Sequence, residues 1–307
     1  MPAFSTCWNN SRHHDGEAMV DEILELGFSE LELSHGMTIA KLPGLRKAFA
    51  DGRFTCVGVH NYFPSPVEVM IDAPDAYEFT SHRSSDRERA MDMTFKTLEI
   101  AAEFKARYVV LHMGSVPMKP KKWTKALTAM LADGEGTSPA FAKRRIAFIK
   151  KREKVAPLYY QRAIDALEAL AEKASELDLV LAVESRSRFE DMPTEREMLR
   201  LQEHFKDRPQ VRYWHDFGHV QLKHNLGLLD HAEWLGEVSP YLFGAHVHDV
   251  QWPARDHRVP FTGELDFKSL IPLFPDDCSL TWELSPTRKA EEIREAFTVW
   301  KHLFPGR

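Results

Sequence analysis

Cysteine is scarce: Cys7, Cys56 and Cys278 are the only three in 307 residues, odd in number and far apart. That excludes a disulfide framework and predicts reduced thiols. No apolar run approaches the ~18 residues of a membrane span, so a transmembrane helix is excluded as well. The opening Met1-Pro2-Ala3-Phe4-Ser5-Thr6 lacks a basic flank and an apolar stretch, which predicts a cytoplasmic protein without a secretory signal. No Pro/Gly-rich linker divides the chain, so one domain over residues 1–307 is expected. A net charge of -6 argues against a surface that tracks nucleic acid throughout.

What is present is an ordinary globular composition, 43% hydrophobic and 28% charged, sufficient for a sizeable core. The charge is unevenly placed. Residues 117–155 hold eleven Lys/Arg against three acids, so this segment carries +8 and the remainder -14. It reads as a basic helical insertion after the fourth strand, either a solvated surface or a rim that attracts an anionic substrate.

Short apolar strands alternate with amphipathic helices along the whole chain, the pattern of a parallel sheet covered by helices. Strands are predicted at 4–8, 31–34, 54–60, 108–112, 179–184, 211–216, 242–248 and 279–283. Helices are predicted at 17–26, 39–50, 84–103, 158–177, 194–203, 228–238, 267–273 and 288–302. Eight strand–helix units in one run predict a single (β/α)8 TIM barrel of the α/β class.

Such a barrel places its chemistry at the C-terminal ends of its strands. The predicted strands three to eight end in ionisable residues: His60, His112, Glu184, Asp216 with His219 just beyond, His246 and His248, and Glu283. Any one of these has an ordinary explanation, as a hydrogen-bonded rim histidine or a helix cap. Burying Glu184, Asp216 and Glu283 together is another matter, since it requires a cation or a shared proton. Carboxylates with a histidine and no thiolate suit Mn²⁺, Mg²⁺, Co²⁺ or Zn²⁺.

Four segments carry a resemblance: Ala182-Val183-Glu184, Asp216-Phe217-Gly218-His219, His246-Val247-His248-Asp249 and Trp282-Glu283. In that order and spacing the chain resembles the xylose isomerase-like TIM barrels, a family of sugar isomerases and epimerases that also includes the endonuclease IV proteins. The resemblance implies one divalent ion, manganese foremost, held by Glu184, Asp216, His246 and Glu283, with His219 beside it on the substrate. A second likeness, to the Arg-then-Pro-Gly stretch of ketose 3-epimerases, falls on residues 257–266 and makes Arg258 a substrate contact, with a surface loop as the plain alternative. His248 stands where many relatives carry Lys, on the substrate side. Ser185, Arg186 and Arg188 follow the strand-five Glu where relatives often place Asn, which makes a phosphorylated or carboxylated substrate plausible.

The chemistry expected is proton abstraction beside a carbonyl through a metal-stabilised enediolate. One of Glu184 and Glu283 removes the proton, the other returns it, and His219 holds or relays at oxygen. His60 and His112 are expected to hold substrate oxygens, and Trp8, Phe63 or Trp252 to pack against a sugar face or simply to fill the rim. Cys7, with no base beside it, reads as structural. The function read is a metal-dependent sugar, sugar-phosphate or polyol isomerase or epimerase. Alternatives are a keto-inositol-type dehydratase on the same site, an endonuclease IV-like phosphodiester hydrolase, and a non-catalytic sugar-binding barrel. For the hydrolase, adjacent Asp256-His257 replaces an Asp-x-His pair, which misplaces one ligand of a third metal. A small carbohydrate is the expected partner, with homo-oligomers possible and neither membrane nor nucleic acid anticipated.

Overall fold

The structure is a computed structural model that describes residues 1–69, 73–118 and 122–307. Eight parallel strands close in the order β1-β10-β7-β6-β5-β4-β3-β2. The barrel strands are β1 (Ala3–Ser5), β2 (Glu30–Leu33), β3 (Thr55–His60), β4 (Tyr108–Leu111), β5 (Val180–Glu184), β6 (Val211–Asp216), β7 (Leu242–Val247) and β10 (Ser279–Trp282). The remaining two, β8 (Asp249–Gln251) and β9 (Arg255–Arg258), form an antiparallel hairpin above the barrel mouth. The TIM-barrel expectation is therefore met. Among the described residues, no helix is long and apolar enough to cross a membrane.

Period-two alternation sorts each strand into two columns. Val109, Leu111, Leu181, Val183, Tyr213 and Val247 belong to the large core between barrel and helices. Tyr108, Val110, Ala182 and Trp214 form a separate cluster inside the barrel. The Tyr108 and Trp214 rings lie 4.4 Å apart and plug the axis. Gly58 and Gly244 make room for them, because a Cβ there would sit 2.1 Å from the Tyr108 ring and 2.3 Å from that of Trp214. One inward position further along β4, β5 and β6 come His112, Glu184 and Asp216. The alternation that builds the plug thus delivers the ionisable residues to the mouth.

Several elements differ from expectation for local reasons. The first strand ends at Ser5, and Thr6–Trp8 form a 3-10 turn. A helix not anticipated, α7 (Phe217–Asn225), starts directly on β6, because Asp216 is at once the last strand residue and the cap whose carboxylate accepts the His219 N–H. It follows α1 (Gly16–Leu24), α2 (Leu42–Ala50), α3 (Ser84–Glu103), α4 (Trp123–Ala132), α5 (Pro139–Glu176) and α6 (Glu195–His204), and precedes α8 (His231–Val238), α9 (Phe267–Leu270) and α10 (Ala290–Leu303). The basic segment is not a separate unit. It supplies α4 and then the first half of α5, which runs through Pro157 into the part packed on the barrel. Lys119 and Lys121 of that segment lie outside the described residues.

Candidate active site at the barrel mouth

Four strands bring Glu184, Asp216, His246 and Glu283 together, with one ligand atom from each within 4.8 Å of the others, all buried. Strand register sets this: Asp216 lies beside His246 across β6 and β7, and Thr281, two before Glu283, lies beside His246 across β7 and β10. His246 is the hub. Its Nδ1 is 2.9 Å from Glu184 Oε1, 3.4 Å from Glu283 Oε2 and 3.7 Å from Asp216 Oδ2.

Behind it, His246 Nε2 donates to the Glu32 carboxylate at 3.1 and 3.2 Å. That hydrogen bond fixes the ring with Nδ1 facing the three carboxylates, where it donates to Glu184 and would become a ligand once a cation displaced its proton. Glu32, fully buried, also accepts from Tyr108 OH at 3.0 Å. Sequence reasoning passed over Glu32, yet a signal existed: in Glu30-Leu31-Glu32-Leu33 the leucines take the core face, so Glu32 must enter the barrel.

The electrostatics show why such a cluster calls for compensation. Burial presses each carboxyl upward, but the surrounding imidazoles outweigh it. Glu184 sits well below the usual range through His112, His246 and His60, and Asp216 likewise through His219 and His248. Glu283 is lowered to about 2, burial again opposing, by His246 and His257. His246 is driven well above its ordinary value, with Glu283 and Glu32 overcoming burial. The molecule therefore stores several negative charges around one point, held by positive charge on histidine. A divalent cation fits this donor set of three carboxylates and one imidazole.

The other predicted residues fall in distinct places. His219 Nδ1 donates to the Ser185 carbonyl at 3.0 Å and burial lowers its pKa, so a neutral ring presents Nε2 as an acceptor. His60 donates from Nδ1 to the Asn61 carbonyl at 2.9 Å, and its Nε2 lies 3.6 Å from Glu184 Oε2. His112 lies between Asp75 Oδ1 at 2.9 Å and Glu184 Oε2 at 2.5 Å.

His248 is buried with Nε2 3.0 Å from Asp216 Oδ2, while its Nδ1 accepts the His257 N–H at 2.9 Å. It supports Asp216 from behind and does not stand on the substrate side. Trp8 is likewise not offered to a sugar: it is 1% exposed, its Nε1–H bonds the Arg288 carbonyl and Arg12 covers its ring at 4.1 Å. Phe63 is buried too, and Trp252 is 52% exposed at the hairpin tip. The residue that reaches Glu283 from the hairpin is His257, with Nδ1 3.8 Å from Oε2. Arg258, one position on, is half-buried with an unpartnered Nε. Cys7 Sγ donates to the Leu284 carbonyl, and burial, then Glu283, push its thiol well above the ordinary value.

Two further expectations change. Arg186 and Arg188 do not await an anion, because Arg186 pairs with Asp75 at 2.8 Å and Arg188 with Asp191 at 2.6 Å. And adjacency does not misplace Asp256-His257: on β9 both converge with His219 within 4.8 Å.

The family model for xylose isomerase-like TIM barrels matches residues 20–300, and the chain belongs to that family. A search of curated protein sequences finds no match. Among solved structures, the chain resembles a D-tagatose 3-epimerase-like protein (13% identity, TM-score 0.69, covering 98% of this chain and 96% of that one). It also resembles the 3-keto-D-glucoside 4-epimerase of E. coli (15%, 0.68, 98% of each chain) and an L-ribulose 3-epimerase (14%, 0.62, 98% and 87%). At these identities the likeness shows the fold.

Proposed function

We propose that this protein is a metal-dependent sugar or polyol isomerase or epimerase that moves a proton at the carbon beside a carbonyl. The observation that carries the reading is the convergence of Glu184, Asp216, His246 and Glu283 on one point, with glutamates entering from β5 and from the end of β10. Family membership and the epimerases among the structural neighbours support it. A divalent ion at that point, manganese foremost, supplies polarisation of the carbonyl and neutralises charge developing on its oxygen.

The remaining work falls to the chain. Glu184 or Glu283 takes the proton from carbon, and the other returns one from the far side. His219 accepts a hydrogen bond from a substrate hydroxyl at Nε2, and His60 Nε2, beside Glu184, offers a second polar contact to a substrate oxygen. With Arg186 and Arg188 paired to aspartates, the pocket suits an uncharged polyhydroxy carbonyl compound.

Incubation with Mn²⁺ and a panel of ketoses in D₂O tests this, read by NMR at the carbon beside the carbonyl. Metal-dependent deuterium wash-in, abolished in Glu283→Gln, is expected; no exchange and no epimer from any ketose would defeat the proposal. A second reading, phosphodiester hydrolysis with several metals, is favoured by further ligand trios among the described residues, including His60–His112–Glu184 and His219–Asp256–His257. Three ions per chain with nicking of DNA would select it.

A further inference from the structure

We infer that the Arg186 guanidinium is a built-in cation that takes the place a second metal ion would need beside Glu184, so that Glu184 cannot bridge two metals. The inference rests on the reading that Glu184, Asp216, His246 and Glu283 hold one divalent ion.

His60, His112 and Glu184 offer three ligand atoms within 4.8 Å of one another, a donor set that suits a transition metal. Such an ion would share Glu184 with the first. However, an ion there requires the His112 Nε2 lone pair, and that nitrogen already meets both Arg186 Nη1 and Glu184 Oε2. Arg186 Nη1 also lies 3.8 Å from the same Glu184 oxygen. The guanidinium does not lose its proton, so its charge is permanent and opposes a divalent cation arriving in a buried pocket.

Nor is Arg186 free to leave. It is 8% exposed, Nη2 bonds Asp75 Oδ2 at 2.8 Å, and Nε lies 3.9 Å from Asp191 Oδ2. Asp75 is itself held by His112 Nδ1, and Asp191 by Arg188. The result is a closed cycle, Asp75–His112–Glu184–Arg186, complete without a second ion. Of the remaining trios, His219–Asp256–His257 shares no ligand with the four-residue cluster, and His35–His60–Glu283 and His248–His257–Glu283 share only Glu283, so an ion in any of them would not be bridged to the first through Glu184.

Electron paramagnetic resonance of Mn²⁺-loaded protein reads this directly, because two manganese ions bridged by one carboxylate are exchange-coupled and isolated ions are not. The wild type and Arg186→Lys are expected to show only isolated-ion signals at every Mn²⁺ concentration. Arg186→Gln, which keeps most of the side-chain volume and loses the charge, is expected to develop the coupled signal and to bind one more ion per chain. A coupled signal in the wild type that persists in Glu283→Gln, and so is not bridged by Glu283, overturns the inference, as does a folded Arg186→Gln that never shows one. Should Arg186→Gln fail to fold, Arg186→Met carries the same expectation. If the wild type binds no manganese at all, the single-ion reading of the site falls instead, which is a separate result.

Discussion

The two walls of the barrel mouth meet at Glu184 and solve the same electrostatic problem differently. On the β6, β7 and β10 wall, Asp216, His246 and Glu283 accumulate carboxylates with only imidazoles to offset them. On the opposite wall, His112, Asp75 and Arg186 close into a ring that balances its own charge. The first wall offers the donor set that a cation would need, and the second is balanced among its own charges. Similar residue types therefore do not define a metal site. What separates the walls is whether a permanent cation already stands among the ligands.

The contrast is broken most severely through the residue the walls share. Glu184→Gln should lower turnover about 10²–10⁴-fold and weaken metal binding. It should also shift the His112 imidazole resonance, because Glu184 Oε2 lies against His112 Nε2. Glu283→Gln should do only the first two; an equal disturbance of His112 would show that the walls are not separate.

A smaller effect sharpens the account of the cation-accepting wall. Glu32→Gln leaves His246 without a charged anchor at Nε2 and should reduce Mn²⁺ affinity about 10–100-fold by calorimetry. Unchanged affinity would assign Glu32 to packing alone.

The smallest effect concerns neutral imidazoles behind the charged ones. Burial lowers His231 to about 3 and His215 well below its usual value. His215 Nε2 and His231 Nε2 share a hydrogen bond at 3.0 Å, and His231 Nδ1 donates to Gln221. The unfolded chain binds protons near pH 6.5 that the folded chain refuses, so stability is present above that pH and is lost as pH falls towards 3. Between pH 6.5 and 5.5 the His231 share is about 1 kcal/mol. His231→Gln should flatten the fall in denaturant midpoint over that interval, and identical slopes would contradict it.

Much of this was legible from the chain because inward and outward positions alternate along apolar strands, so His112, Glu184 and Asp216 announce themselves as polar endings to buried runs. The hairpin was not legible. Gln251 and Arg255-Asp256-His257-Arg258 have no apolar period, and their pairing depends on the loop that returns across the mouth. Asp75 likewise sits in a polar connection with no periodicity, and only the folded chain shows that it binds His112 and Arg186. Arg186 looked like a receptor for anions for the same reason: a sequence displays a charge but not its partner. Trp8 looked like a sugar platform because the first strand seemed to extend through it, whereas the turn at Thr6–Trp8 folds the ring into the core.

The Tyr108 and Trp214 rings, tilted against each other across the axis, close the barrel beneath the carboxylate cluster. Above the cluster the β8–β9 hairpin folds over the mouth, with His257 reaching Glu283. On the proposed reading, whatever narrows the space under that hairpin would govern at once how fast ligands exchange and whether a transferred proton comes from water or from the carbon that lost it.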